Sequence, residues 1–120
     1  MKEEIKKWFE KAEEDFDTAE YNLKGKKLEV CAFFLQQSAE KALKSLYIKK
    51  FSKLFKTHDL ILLSKKVGAP GKIIEYCKEL SPAYQYTRYP DLPVAKDLEK
   101  MIGKFLNNTR EILKWVKEKI

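Results

Sequence analysis

A chain of 120 residues is long enough for one domain with a sizeable core. Hydrophobic residues make up 44% and charged residues 36%, which excludes a chain disordered by composition, and no apolar run approaches the length of a membrane span. The net charge of +7 is uneven: residues 1–24 hold five Lys against eight Asp and Glu, and residues 25–120 hold twenty Lys and Arg against ten Asp and Glu.

The first segment is charged and lacks the apolar centre of a signal peptide, so export is not expected and a cytoplasmic setting is. The expected first helix spans about Lys2 to Leu23. Ile5, Trp8, Phe9, Ala12, Phe16, Ala19 and Leu23 follow the 3.6-residue period, while Glu13, Glu14, Asp17 and Glu20 take the opposite side. Gly25 stands where a left-handed C-terminal residue ends a helix. The link to Lys27 is short, so the next helix returns antiparallel.

That second helix, Leu28 to about Phe51, is read as central. Cys31, Leu35, Ala39, Ala42 and Leu46 form one apolar stripe; Phe34, Leu43 and Tyr47 form another. A helix apolar on two sides must be covered on two sides. Between the stripes lie Gln36, Gln37, Glu40 and Lys44, which read as a partner surface. Ala39 and Ala42 admit a close neighbouring backbone.

A basic loop, Ser52 to Lys56, leads into Thr57-His58-Asp59-Leu60. The spacing predicts a short helix from His58 to about Val67, with Thr57 as N-cap and Gly68 as stop. A fourth helix is expected from Pro70 to Leu80, with Pro70 in its first turn. The segment Ser81 to Pro93 holds three prolines and cannot be one helix. A last helix is expected from Val94 to Lys119, with Gly103 marking a close helix contact. No stretch alternates with period two. The fold class is therefore all-α: an up-and-down four-helix bundle with a short connecting helix, forming one domain over residues 1–120.

Two loops draw attention, KTHDL at 56–60 and YTRYPD at 86–91. Surface loops dense in Tyr, Arg, Asp and Pro are where recognition is placed. His58 is the one side chain that ordinarily titrates near neutral pH. Lys56, His58, Arg88, Tyr89 and Asp91 are therefore expected to gather as an anion- or nucleotide-binding cluster at one end of the bundle, with Lys56 and Arg88 for phosphate and Tyr89 for stacking. The alternative reading is structural: His58 starts a helix and packs against the Tyr-rich loop, Arg88 pairs with Asp91 or Glu40, and Tyr84, Tyr86 and Tyr89 cap the bundle end. Cys31 and Cys77 fall in apolar helical patterns and read as reduced core residues. Two cysteines and one histidine make no ordinary structural zinc site, so no metal and no cofactor is expected.

The order AEEDFDTAEYNL, FFLQQSAEKALKSLYI, KTHDL and YTRYPDL resembles the HEPN domain, the higher-eukaryote and prokaryote nucleotide-binding domain, over roughly residues 8–116. The match is to its small stand-alone archaeal and bacterial members. The resemblance implies an all-α bundle, a homodimer, and a minimal nucleotidyltransferase as partner in a toxin–antitoxin-like pair. It also implies a metal-independent ribonuclease site in which an Arg is followed four to six residues later by a His. This chain departs from that pattern, because His58 is its one histidine and precedes both Arg88 and Arg110. The expected function is thus a dimeric nucleotide- or RNA-binding or partner module without the usual catalytic pair. The alternatives are a divergent ribonuclease using His58 and Arg88, and a non-catalytic structural adaptor.

Overall fold

The computed structural model describes residues 2–83 and 95–120. Among these residues five helices run in order: α1 (Lys2–Lys24), α2 (Leu28–Phe51), α3 (Leu60–Lys66), α4 (Gly71–Leu80) and α5 (Ala95–Lys119). No strand occurs among the described residues. The all-α expectation holds.

Helix α2 is the centre. From Ser38 to Ile48 every residue except Lys41 is buried. One helix can be buried on so many sides only if neighbours surround it, and α1, α3 and α5 do. Leu35, Leu43 and Leu46 are essentially inaccessible, and truncating any of them to alanine costs about 2–5 kcal/mol. The small residues set the helix spacing. Ser38 Oγ donates to the Ala12 carbonyl oxygen on α1 at 2.6 Å, and Thr109 Oγ1 on α5 reaches the Leu35 carbonyl at 3.4 Å as well as its own Phe105 carbonyl at 2.9 Å. Such contacts require backbones that approach closely, which Ala12, Ala39 and Ala42 permit.

Several boundaries differ from expectation by a residue or two, each for a local reason. After α1 the left-handed residue is Lys26 (φ 60), not Gly25. Lys26 N–H bonds to Leu23 O and Lys27 N–H to Asn22 O, the paired bonds of a Schellman motif with Gly25 as C-cap. Gly68 (φ 73) ends α3 as expected, with the same pair of bonds from Gly68 and Ala69. The N-cap of α3 is Asp59, not Thr57: Asp59 Oδ1 accepts the Leu62 N–H at 3.0 Å, while Thr57 Oγ1 accepts the Asp59 N–H at 3.2 Å. His58 therefore precedes the helix instead of opening it. Pro70 sits at the N-cap of α4, one residue before the first turn. Gly103 marks no close contact: a Cβ there would meet nothing within 4 Å among the described residues.

The segment between α2 and α3 folds back along α2. Phe55 packs on Tyr47, ring centroids 5.2 Å apart, and Tyr47 packs on Phe51 at 4.5 Å. His58 is thereby carried from the end of α2 to its middle, beside Glu40. About eleven residues, or roughly 16 Å of helix at 1.5 Å per residue, separate Glu40 from the end of α2.

A candidate functional site at Glu40 and His58

Gln36, Glu40 and Lys44 recur every four residues and lie one above another on α2. Glu40 is the hub. Its Oε1 lies 3.1 Å from His58 Nδ1 and accepts from Gln36 Nε2 at 3.4 Å; its Oε2 accepts from Lys44 Nζ at 2.9 Å. Gln36 Nε2 also lies 3.5 Å from the His58 carbonyl oxygen, and Gln37 Nε2 donates to Gln36 Oε1 at 2.8 Å. Lys44 Nζ stands 5.8 Å from the centre of the Trp8 ring. The Glu40 and Lys44 side chains are 4% and 8% exposed, whereas that of His58 is 59% exposed. A buried ionic pair thus supports an imidazole at the surface.

This geometry has a chemical consequence. A carboxylate only accepts, so the ring nitrogen facing Glu40 is the one that carries hydrogen. Glu40 fixes the orientation of the imidazole and assigns the proton-accepting role of its neutral form to Nε2. Buried carboxylates that orient histidines work this way both in proton transfer and in anion recognition.

A second ionic group joins α1 to α2. Asp15 is 2% exposed and pairs with Lys41 of α2, and its other oxygen is 3.9 Å from Lys11 Nζ. Neither cysteine belongs to the site. Burial pushes the Cys31 thiol up to about 11 and the Cys77 thiol up to about 12. No cluster of three His, Cys, Asp or Glu side chains able to hold a metal occurs among the described residues.

The expected site is thus only partly visible. Lys56 is exposed two residues before His58. Arg88, Tyr89 and Asp91, together with Tyr84 and Tyr86, lie outside the described residues. His58 stands beside the middle of α2, not at the bundle end, because the 52–59 segment doubles back. Gln36, Glu40 and Lys44, expected on a partner surface, are buried, and Gln37 is half-buried; the 52–59 segment and Trp8 cover them. Sequence reasoning missed the Glu40–Lys44 pair as a buried unit and missed Asp15. The signal was present in both cases: opposite charges four residues apart inside a helix apolar on two sides, and an aspartate three residues after Ala12 and four before Ala19, on their apolar face.

The class that the described residues define is an all-α bundle built around one central buried helix. The HEPN domain model matches residues 5–119, and the chain belongs to that family. Two solved structures resemble it closely. TT1696 from Thermus thermophilus is 27% identical, superposes with a TM-score of 0.84, and the match covers 97% of this chain and 98% of that one. ST0689, described as an archaeal HEPN homologue, is 28% identical with a TM-score of 0.78, covering 96% of each chain. No curated protein matches the chain. No helix among the described residues is long and apolar enough to cross a membrane.

Proposed function

We propose that this chain is a dimeric, non-catalytic HEPN module that binds nucleotide or RNA beside His58 and works with a minimal nucleotidyltransferase in a two-component, toxin–antitoxin-like pair. The observation that carries the reading is the state of the one histidine. It precedes both arginines in the chain, so the Arg-then-His ribonuclease motif is absent, yet it is held at the surface by the buried Glu40 next to the exposed Lys56. An oriented imidazole beside a lysine suits a phosphate better than it suits a core. Arg88, Tyr89 and Asp91 complete the proposed site from the YTRYPD loop, and Gln37 borders it.

The test measures binding of a labelled oligouridylate and of ATP, with light scattering for the assembly. Binding is expected to fall steeply with salt, as phosphate contacts require, and to be lost in Lys56→Glu and Arg88→Ala. The particle mass is expected at twice the 14.2 kDa of one chain. Absence of any binding leaves the structural adaptor reading in its place.

One observation favours a second reading. The Glu40–His58 contact at 3.1 Å is the arrangement that general acid–base chemistry uses. A divergent ribonuclease would have His58 move the proton and Arg88 stabilise charge on the phosphate. RNA cleavage in the presence of a chelator, abolished by His58→Ala, would establish it.

A further inference from the structure

Trp8 on α1 stays half-buried, although Phe9 and Ala12 beside it are buried. An indole left partly in water at the edge of a core still has ring surface to offer a partner. With Lys7, Lys11 and Lys41 it lines an open pocket of about 210 Å³. Lys7, Trp8 and Lys11 share one side of α1 by helical spacing, and Lys41 comes from α2. The lysine stems and the indole make apolar walls, and the exposed heads of Lys7 and Lys11 are left to water.

The lining carries one sign of charge: among the described residues it holds three lysines and no carboxylate. The carboxylates nearby do not cancel these charges equally. Asp15, almost inaccessible, holds Lys41 in place, so Lys41 serves as a fixed wall. Lys11 has Glu14 at 3.4 Å and Asp15 at 3.9 Å. Its contact with Glu14 joins two exposed side chains, a solvated pair of little worth that gives way to a ligand. Lys7 pairs with no carboxylate among the described residues. Lys7 and Lys11 are therefore the charges on offer beside the ring.

The pocket adjoins the His58 site through Lys44. Lys44 Nζ stands 5.8 Å from the centre of the Trp8 ring and 2.9 Å from Glu40, whose other oxygen meets His58 at 3.1 Å. Laid end to end, these contacts part the indole from the imidazole by no more than roughly 14 Å, which a strand of about four stacked nucleotides covers.

We infer that Trp8, Lys7 and Lys11 form a second contact for the strand bound at His58: one base stacks on the indole, and its flanking phosphates meet the two lysines. The ligand is then a single-stranded oligonucleotide of about four nucleotides or more, not a mononucleotide. The inference rests on the nucleotide-binding part of the proposed function and deepens it. Size and charge choose this ligand. The pocket has room for one flat ring but falls below the roughly 300–1,000 Å³ that whole small-molecule ligands fill. An acidic peptide brings the charge without a ring plane, and a duplex keeps its bases stacked inside. An anionic lipid surface would meet the exposed Glu4 and Glu14, which extend the Lys7–Lys11 row at both ends.

The experiment titrates uridine monophosphate, and oligouridylates of about two to about eight nucleotides, into the full chain carrying Trp115→Phe, which leaves Trp8 as its one tryptophan. The longest strand is expected to bind about tenfold tighter than the monophosphate and to quench Trp8 fluorescence. Trp8→Leu is expected to weaken that strand about tenfold and to remove the advantage of length, and Trp8→Phe to weaken it less, because a ring remains. Lys7→Glu/Lys11→Glu is expected to weaken it and to flatten its salt dependence. Oligothymidylate is run alongside: Trp8-dependent binding of either strand supports the inference, and the tighter of the two names the sugar. Trp8 left unquenched, or affinity unchanged in Trp8→Leu and in the lysine variant, overturns it; if Lys56→Glu still abolishes binding, the nucleotide reading stands and only this contact falls. Failure of every strand to bind overturns both. Equal quenching by polyphosphate, an acidic peptide or anionic vesicles also overturns the inference, since charge alone would then suffice. Circular dichroism checks each variant, and if Trp8→Leu does not fold, the quenching and the exposed-lysine variant decide.

Discussion

Glu40 holds His58 by Nδ1 at 3.1 Å while its other oxygen holds Lys44 at 2.9 Å, so one buried carboxylate serves a surface imidazole and an interior ammonium at once. The two partners do not depend on it equally. Lys44 is buried and loses its counter-charge if Glu40 goes; His58 is largely exposed and turns to water.

The first prediction follows from that inequality. Glu40→Leu is expected to destabilise by about 3–5 kcal/mol, because it strands a buried charge. His58→Ala is expected to cost only about 1 kcal/mol, the worth of one partly solvated hydrogen bond. The double variant Glu40→Leu/Lys44→Met removes both charges and is expected to recover most of the loss. Urea unfolding of the three variants checks the order. A double variant as unstable as Glu40→Leu alone would show that packing, not charge, is at stake.

The second prediction concerns Asn108 on α5. It is 1% exposed, and its Nδ2 has no hydrogen-bond partner among the described residues. An orphaned buried donor costs about 1–3 kcal/mol. Asn108→Leu, which keeps the branching and the number of side-chain heavy atoms, is expected to raise stability by about 1 kcal/mol, which for a chain of this size moves Tm by about 3–5 °C. A fall in Tm would mean that the amide is held in solution by a buried water.

The helices were legible because their signals are local. Period, glycine stops and proline starts all act within a turn or two, and all five elements fall where they predict. The misses have physical causes. Thr57 and Asp59 are both good N-caps two residues apart, and the carboxylate took the helix because its charge also suits the dipole. Gly25 and Lys26 compete for one left-handed position, and the register of the paired bonds, which no single residue dictates, put Lys26 there. The site was less legible. The burial of Glu40 depends on a loop that doubles back three turns, and that is a fact of topology, invisible to helical spacing. His58 was picked out by residue type alone; its support was not.

The third prediction tests one of those misses. Gly103 lies exposed within α5 with open space around it among the described residues. Nothing there needs glycine, so its backbone freedom in the unfolded chain is simply a cost. Gly103→Ala is expected to stabilise by about 0.5–1 kcal/mol, read as a rise in the urea midpoint with an unchanged slope. A loss of stability would mean that a second molecule packs against this face in solution, and the interface of the proposed dimer would then be sought there.

The last prediction uses the two thiols. Cys31 and Cys77 are fully buried, and burial holds them at about 11 and about 12 against an ordinary value of 9.0; the charge of Glu20 adds to the rise at Cys31, and a hydrogen bond with Ser64 slightly opposes it at Cys77. Two consequences follow. At pH 8 the folded chain carries almost no thiolate, and neither sulfur is reachable, so a disulfide reagent such as DTNB is expected to react with no thiol in the folded state and with both in denaturant. The sign of the pH effect is also fixed. A thiol whose pKa is raised by folding gives full stability below the unfolded pKa and loses it as pH rises towards the folded one. Stability is therefore expected to be flat up to about pH 8 and to decline between about 9 and about 12. The decline should be shallower in Cys77→Ala, even though that variant starts lower for want of the sulfur's packing. Fast reaction of one thiol at pH 8 in the folded protein would show that its helix opens locally, with α4 the first place to look, since it carries Cys77 and is covered on fewer sides than α2.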